Sequence, residues 1–267
     1  MNNQKIGFIG CGNMATAIMK GLISNNIYAA NDIVASDASM AAADKIKTEL
    51  GVAASTDNIS TVEGCGILVL AVKPQYYETV IVEIRDSIKP EQIIITIAPG
   101  KTIAWLEEKF AKPVKLVRTM PNTPALVGAG MTGACRNKNI NDEEYKTVFN
   151  ILGSFGIVET ITENLMDVCV SVSGSSPAYV YILIEAMADA AVADGMPRDK
   201  AYKFAAQAVL GSAQMVLETG KHPGELKDMV CSPGGTTIEA VRVLEERGFR
   251  SAVFEAMKAC VRKARDM

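Results

Sequence analysis

A short apolar run, a glycine-rich turn and an amphipathic helical pattern follow one another near the start of the sequence. The run Ile6–Ile9 leads directly into GCGNMA at residues 10–15, and apolar residues then recur at helical spacing as far as Ser24. A buried strand that passes through so tight a turn into a helix is the building unit of an α/β fold with a parallel sheet. This part of the sequence therefore predicts strand–helix alternation.

The glycine-rich turn has the pattern of a dinucleotide-binding loop, G-x-G-x-x-A. Gly10 permits the tight turn, Gly12 lets the backbone approach a pyrophosphate, and Ala15 lets the helix pack against the strand. The N–H groups and the positive dipole end of the helix favour an anion at this place. An ordinary turn between a strand and a helix is the alternative, but the strand–loop–helix context favours dinucleotide binding.

Strand–helix alternation continues along the first half of the chain, where helical stretches separate further β-rich apolar runs. These runs lie at residues 33–35, 67–72, 93–97 and 116–117. Continuous apolar runs are typical of strands that are buried on both faces. We expect an α/β fold with a Rossmann-type, doubly wound parallel sheet, followed by a helix over 142–152 and a short strand near 156–159.

After residue 163 the strand signal is lost and helical patterns take its place. They cover residues 177–193, 198–219, 224–230, 236–247 and 251–265. The first two are apolar almost all round, and a helix of this kind must be buried on every side. Because a domain of this size can hardly enclose both helices, we predict that a second copy of the chain covers them. The expected domains are 1–163, which binds a dinucleotide, and 164–267, an all-helical substrate and dimerisation domain.

The composition argues against several classes of function. The net charge is −3 and no basic stripe is visible, so nucleic acid is not an expected partner. The six cysteines are scattered without a C-x-x-C pair or a Cys/His cluster, which argues against a metal site and a disulfide framework. The first residues leave no room for a signal peptide, and the apolar run 178–193 is short and carries two acids. We therefore expect a cytoplasmic protein with no membrane partner.

Two charged residues, Asp37 after the second strand pattern and Lys73 after the run at 67–72, bear on how a dinucleotide would bind and on which dinucleotide it would be. An acid at the position of Asp37 accepts hydrogen bonds from the ribose hydroxyls of NAD, and a 2′-phosphate would be repelled unless Ser36, Ser39 or Lys45 compensates. A helix N-cap is an equal alternative for Asp37, so the choice between NAD and NADP stays open. Lys73, in AVKP at residues 71–74, is expected near the cofactor, with a surface lysine as the alternative.

A second glycine-rich segment, SPGGTT at residues 232–237, precedes a helical pattern. Two glycines followed by hydroxyl side chains at a helix N-terminus form an anion-binding loop that would suit a carboxylate without an arginine. The alternative is a turn in which Thr236 or Thr237 caps the helix.

Six segments together resemble the signature segments of the pyrroline-5-carboxylate reductase family, in the same order and at similar spacing. They are GCGNMA, AVKP, MPNTP at 120–124, SGSSPAY at 173–179, HPGEL at 222–226 and SPGGTT. The resemblance spans nearly the whole chain. It implies hydride transfer from NAD(P)H to (S)-1-pyrroline-5-carboxylate, which gives L-proline in the last step of proline biosynthesis. It also implies a homodimer at least, with a higher ring of dimers left open.

The resemblance and the strand ends together give the expected site residues. The cofactor contacts are expected at Ile9, Gly10, Cys11, Gly12, Asn13, Met14, Ser36, Asp37, Asn58, Ala71, Val72, Lys73, Pro74, Met120, Pro121 and Asn122. The substrate contacts are expected at Ser176, Pro177, Ala178, Ser232, Gly234, Gly235, Thr236 and Thr237. Thr237 is similar to the family's threonine that reaches the imine nitrogen, and it is the one expected catalytic residue. The expected cofactor is NADP(H), with NAD(H) left open by Asp37, and no metal is expected.

The sequence is poor in acid–base groups, and this fits an imine better than an alcohol as the reacting group. Its one histidine, His222, is expected in a solvated turn, and Glu185 and Asp189 are expected to form interface hydrogen bonds. The β-hydroxyacid dehydrogenases share the two-domain plan, but their lysine on the first interdomain helix has no counterpart at 175–193. They remain an alternative, as does a non-catalytic dinucleotide-binding regulatory module, which the intact SPGGTT segment disfavours.

Overall fold

The computed structural model describes residues 5–266. Residues 1–4 and 267 lie outside the described residues. The outer ends of the two predicted domains fall on them, and so does part of the segment to which the expectation about a signal peptide refers. Within the described range, eight strands form one sheet. Their bounds are β1 Ile6–Ile9, β2 Ile33–Ser36, β3 Ala53–Ser55, β4 Ile67–Leu70, β5 Ile93–Thr96, β6 Lys115–Met120, β7 Gly130–Arg136 and β8 Gly156–Thr160.

The strand order is β3-β2-β1-β4-β5-β6-β7-β8, and the first six strands are parallel. Their order is that of the two-halved dinucleotide-binding sheet, so the predicted Rossmann-type fold is confirmed. β7 runs antiparallel to β6, and β8 runs parallel to β7. The ends of β2, β1 and β4 lie side by side at one edge of the sheet, where such folds bind their ligands.

β3 and β7 were not predicted from the sequence, because their residues lack the continuous apolar pattern of a buried strand. β3 has three residues, two of them alanine, and β7 carries glycines and a threonine in place of a continuous apolar run. A Cβ at Gly133 in β7 would lie 2.8 Å from Cys169 Sγ and 2.9 Å from Ile161 Cδ1. Close packing therefore excludes a side chain where β-propensity would have favoured one.

Helices cover both faces of the sheet. Those of the first half are α1 Asn13–Ser24, α2 Met40–Leu50, α3 Asn58–Glu63, α4 Tyr77–Ile84, α5 Ile103–Phe110, α6 Asp142–Gly153 and α7 Met166–Cys169. One core packs around Phe8 and Ile18, and the other packs around Ile81 and Phe110. The fully buried Tyr77 hydroxyl donates to the Leu70 carbonyl at 2.6 Å, and it accepts from the Ile97 amide at 3.3 Å. It thereby joins the ends of β4 and β5.

The second half of the chain is helical, as predicted. Its helices are α8 Ser176–Ala193, α9 Arg198–Thr219, α10 Pro223–Met229, α11 Thr236–Glu246 and α12 Phe249–Arg265. Two compact units can be separated, one formed by residues up to Ser175 together with those from Cys260 onward, the other by Ser176–Ala259. The division into functional domains at 163/164 stays a prediction.

The apolar helices α8 and α9 are not buried within the single chain. Ile182 is 65% exposed, Phe204 is 68% exposed and Leu217 is 70% exposed. The helical run Glu163–Ala193 has 31 residues, because α7 and a π-helical turn, Val170–Gly174, precede α8. By length and composition alone this run could cross a membrane, whereas the expectation of a run that is too short was made for residues 178–193.

Candidate cofactor and substrate sites

The glycine loop after β1 passes close to the ends of β2 and β4. Gly10 has φ +103°, and a Cβ there would lie 2.7 Å from the carbonyl carbon of Ala71 and 2.9 Å from the Val72 amide nitrogen. The Gly10 amide donates to the Ser36 carbonyl at 2.7 Å. Both the backbone conformation and the close approach therefore require glycine at this position.

The start of α1 is open to a ligand. Gly12 is the N-cap residue, and among the described residues no side chain caps the first turn. A Cβ at Gly12 would meet nothing within 4 Å, and Gly12 and Asn13 are exposed. The free N–H groups and the positive dipole end of α1 therefore face open space, and the loop fits a pyrophosphate.

The Asp37 carboxylate at the end of β2 turns back towards this loop. Its Oδ2 accepts from the Cys11 amide at 2.8 Å, and its Oδ1 accepts from the Ser39 amide at 2.8 Å. The N-cap of α2 is Ser39, whose side chain accepts from the Ala42 amide. The alternative that Asp37 is a helix cap is therefore wrong, because Asp37 lies two residues before the cap.

Two further predicted cofactor residues, Ser36 and Asn58, contact each other. The fully buried Ser36 hydroxyl donates to Asn58 Oδ1 at 2.7 Å, and Asn58 Nδ2 donates to Glu83 Oε2 at 2.9 Å. The Ser36 hydroxyl thus faces Asn58 and not open space. Of the two side chains, only that of Asn58 is partly exposed at the surface.

At the end of β4 the chain continues in an extended conformation before a short 3-10 turn, Pro74–Tyr76. The Ala71 amide donates to the Ile9 carbonyl at 2.8 Å, so this segment lies against the end of β1. Lys73 is exposed, and its ammonium group forms no ion pair with any residue that the structure describes. The unpaired ammonium group of Lys73 therefore comes directly after Ala71 and Val72 in the chain, the two residues that lie close to Gly10.

The segment MPNTP is held in place by its asparagine. Asn122 is 8% exposed; its Nδ2 donates to the Ser173 carbonyl at 3.0 Å, and its Oδ1 accepts from the Met131 amide at 2.8 Å. Met120 ends β6, and Pro121 is buried. The side chain of Asn122 is therefore committed to the protein backbone, and its contact with a cofactor stays a prediction.

A buried arginine and the two partly exposed acids beside it were not predicted from the sequence. Arg118 on β6 is 4% exposed and donates to Glu163 Oε1 at 2.9 Å, with Asp167 Oδ1 at 3.9 Å. The same Glu163 oxygen accepts from the Ile103 amide at the start of α5 at 2.6 Å. An arginine directly after the apolar run at 116–117 was the available signal, because a buried charge must be paired.

The SPGGTT segment forms an uncapped helix start in the second unit. Gly234 has φ +70°, and the Gly235 amide donates to the Ser232 carbonyl at 3.0 Å. Gly235 is the N-cap of α11, which has no side-chain cap within the described part of the chain. The alternative that Thr236 or Thr237 caps this helix is therefore wrong, because both threonines follow the cap residue. The free amides suit a carboxylate.

The sparse acid–base groups of the second half are engaged elsewhere or exposed. The exposed His222 Nδ1 accepts from the Gly224 amide at 3.0 Å and caps α10, which confirms a turn residue. Asp189 pairs with Arg198 of the same chain, and its hydrogen bond across an interface stays a prediction. Glu185 is exposed in the single chain.

Comparison with known proteins gives matches over the whole chain. Residues 163–267 match the family model for pyrroline-5-carboxylate reductase dimerisation, and residues 5–100 match that of the coenzyme F420-dependent NADP oxidoreductases. The pyrroline-5-carboxylate reductase of Escherichia coli is 51% identical over 98% of this chain and 97% of its own length. The structure of the Coxiella burnetii pyrroline-5-carboxylate reductase is 35% identical with a TM-score of 0.91, over 99% and 98% of the two chains. That of the Plasmodium falciparum pyrroline carboxylate reductase with NADP bound is 34% identical with a TM-score of 0.91, over 100% and 98%.

Proposed function

The chain belongs to the pyrroline-5-carboxylate reductase family, and from this membership we propose that it reduces (S)-1-pyrroline-5-carboxylate to L-proline with NAD(P)H. The structural observation that supports this proposal most is the uncapped start of α11. The backbone amides that follow the N-cap Gly235 have no side-chain cap and can bind the substrate carboxylate. The test is oxidation of NADH or NADPH that saturates with pyrroline-5-carboxylate. No turnover with either cofactor would remove the proposal.

The cofactor is proposed to bind along the ends of β1, β2, β4 and β6. The open N-terminus of α1 receives the pyrophosphate, and Asn58 and Asp37 lie where the adenosine ribose would be bound. Lys73 supplies a positive charge next to the loop. The remaining proposed contacts are Ile9, Gly10, Cys11, Gly12, Asn13, Met14, Ser36, Ala71, Val72, Pro74, Met120, Pro121 and Asn122. When bound, the reduced nicotinamide supplies the hydride.

The substrate carboxylate is proposed to bind the backbone N–H groups at 234–237 and the hydroxyls of Ser232 and Thr236. Thr237, which is half-buried, accepts a hydrogen bond from the protonated ring nitrogen and keeps the substrate in its iminium form. Ser176, Pro177 and Ala178 line the face of the ring. The imine carbon takes up the hydride, the π electrons of the C=N bond become the nitrogen lone pair, and the nitrogen keeps its proton in the secondary amine.

This reaction asks little acid–base chemistry of the protein. A protonated imine already carries the positive charge that attracts a hydride, whereas oxidation of an alcohol requires a base for its proton. Holding two reactants in the correct orientation can by itself contribute up to about 7–11 kcal/mol. A site that offers backbone amides, one threonine hydroxyl and no histidine is therefore sufficient for imine reduction.

Self-association follows from the match of residues 163–267 to the dimerisation model. We propose a homodimer formed through the exposed apolar side chains of α8 and α9, with further association of dimers into a ring. Each chain would then be divided functionally into 1–163 for the cofactor and 164–267 for substrate and dimerisation. A metabolic enzyme of this kind is proposed to work in the cytoplasm.

A further inference from the structure

Asp37 is held rigidly beside the glycine loop. Each of its carboxylate oxygens accepts one backbone amide at 2.8 Å, Oδ2 from Cys11 and Oδ1 from Ser39. A carboxylate oxygen has two lone-pair positions, so each oxygen keeps one for a ligand. The group is partly exposed at the end of β2, next to the loop in which the pyrophosphate is proposed to bind. Its negative charge is therefore fixed in position and still accessible.

The negative charge of Asp37 is not balanced by the cations on the neighbouring helices. Lys20 on α1 and Lys45 on α2 both lie within ion-pair distance of Glu49, at 3.9 and 3.8 Å. Lys47 pairs with Asp44 at 3.2 Å. Asp37 itself forms no ion pair with any of the residues 5–266. The charge also acts on its neighbour. Burial of the Cys11 thiol, and to a smaller extent the negative charge of Asp37, raise the pKa of that thiol to about 11.

Of the three groups that could compensate for a 2′-phosphate, only Lys45 carries a charge, and its ammonium group lies 3.8 Å from the Glu49 carboxylate. Ser36 is buried, and its hydroxyl donates to Asn58. The Ser39 hydroxyl caps α2 and brings no charge. The unpaired Lys73 belongs to the end of β4, and β1 with its glycine loop lies between β4 and β2.

From this geometry we infer that Asp37 makes the chain select NADH over NADPH. The inference rests on the proposed cofactor site. The vicinal hydroxyls of the NADH ribose donate to the free lone pairs of the carboxylate, whereas the 2′-phosphate of NADPH brings up to two negative charges against it. Two like charges a few ångströms apart at the protein surface cost enough to change affinity about tenfold or more.

The test is a fluorescence titration of the protein with NADH and with NADPH in the absence of substrate. We expect NADH to bind at least about tenfold more tightly. Asp37→Asn, whose side-chain oxygen still accepts from the Cys11 amide, and Asp37→Ser should each raise the NADPH-to-NADH affinity ratio by about tenfold. A gain in NADPH binding cannot result from misfolding. Asp32→Asn is the matched control, because this exposed acid precedes β2 at the opposite end of the strand and should leave the ratio unchanged.

NADPH binding as tight as NADH binding in the unchanged protein would overturn the inference. So would a ratio that stays within about twofold in both Asp37 variants, because Asp37 would then act only on the loop. Failure to bind either nucleotide would overturn the inference together with the proposed cofactor site. Selective NADH binding without turnover of pyrroline-5-carboxylate would uphold the inference and remove only the proposed reaction.

Discussion

The side-chain amide of Asn122 donates a hydrogen bond of 3.0 Å to the carbonyl of Ser173, which lies in the π-helical turn Val170–Gly174. Its oxygen accepts from the Met131 amide at the start of β7. One buried side chain thereby joins three backbone segments of the first unit. The π-helical turn, a rare local geometry that often occurs at functional sites, is fixed by a residue of the MPNTP segment.

Asn122→Ala should destabilise the first unit. The Ser173 carbonyl and the Met131 amide would lose their partner in a buried place, at about 1–3 kcal/mol for each group left unpaired. Urea unfolding monitored by circular dichroism measures the loss. Asn122→Asp keeps an acceptor for the Met131 amide but places a buried carboxylate oxygen against the Ser173 carbonyl, so it should destabilise the unit as well. An unchanged unfolding midpoint in Asn122→Ala would contradict this role.

Gly10→Ala and Gly12→Ala should have opposite effects on stability and binding. At Gly10 the φ of +103° and the contact with Ala71 leave no room for a Cβ, so thermal stability should fall by the equivalent of about 1–3 kcal/mol. At Gly12 the Cβ meets nothing, so the fold should tolerate it while the close approach of a pyrophosphate is lost. Thermal unfolding and cofactor titration of both variants separate the two effects. Equal stability of the two variants would contradict the geometry of the loop.

Thr237→Ala should lower kcat/KM for pyrroline-5-carboxylate by the equivalent of about 1–3 kcal/mol, because one buried hydrogen bond to the reacting group is lost. Cofactor affinity should stay unchanged. Thr237→Ser keeps the hydroxyl and should recover most of the rate. Steady-state kinetics of the three proteins make this comparison. If the alanine and serine variants behave alike, the ring nitrogen is contacted by another group.

Ile182→Glu should disrupt self-association, because this α8 side chain is 65% exposed in the single chain and would be buried in the proposed dimer. Light scattering should give at least twice the mass of one chain for the unchanged protein and a smaller mass for the variant. Val82→Glu on α4, where the native side chain is 47% exposed, is the control that should leave the mass unchanged. A monomeric mass for the unchanged protein at micromolar concentration would contradict the proposal.

Local pattern was sufficient for the elements whose residues carry it continuously. The run Ile6–Ile9 is β1, and Arg198–Thr219 is α9, since apolar spacing and turn residues fix such elements without reference to the rest of the chain. β7 was missed because close contact with Cys169 excludes a side chain at Gly133, a constraint that exists only in the folded protein.

The site residues show the same division between local pattern and tertiary contact. The glycine loop could be interpreted from its own sequence, because the turn, the strand and the helix are adjacent. The partners of Asp37 and Asn122 could not, since Cys11 lies 26 residues from Asp37 and Ser173 lies 51 residues from Asn122. The pairing of Arg118 with Glu163 likewise spans 45 residues and follows from burial, which only the fold defines.

Hydride transfer to the C=N bond of pyrroline-5-carboxylate is the proposed reaction of this chain. Isotope transfer can follow the hydride itself, with NADH and NADPH labelled with deuterium at C4 of the nicotinamide and mass spectrometry of the product. We expect proline that carries one deuterium on the ring carbon derived from the imine, formed in proportion to the oxidised cofactor. Cofactor oxidation without labelled proline, or no reaction with either nucleotide, would contradict hydride transfer to the imine.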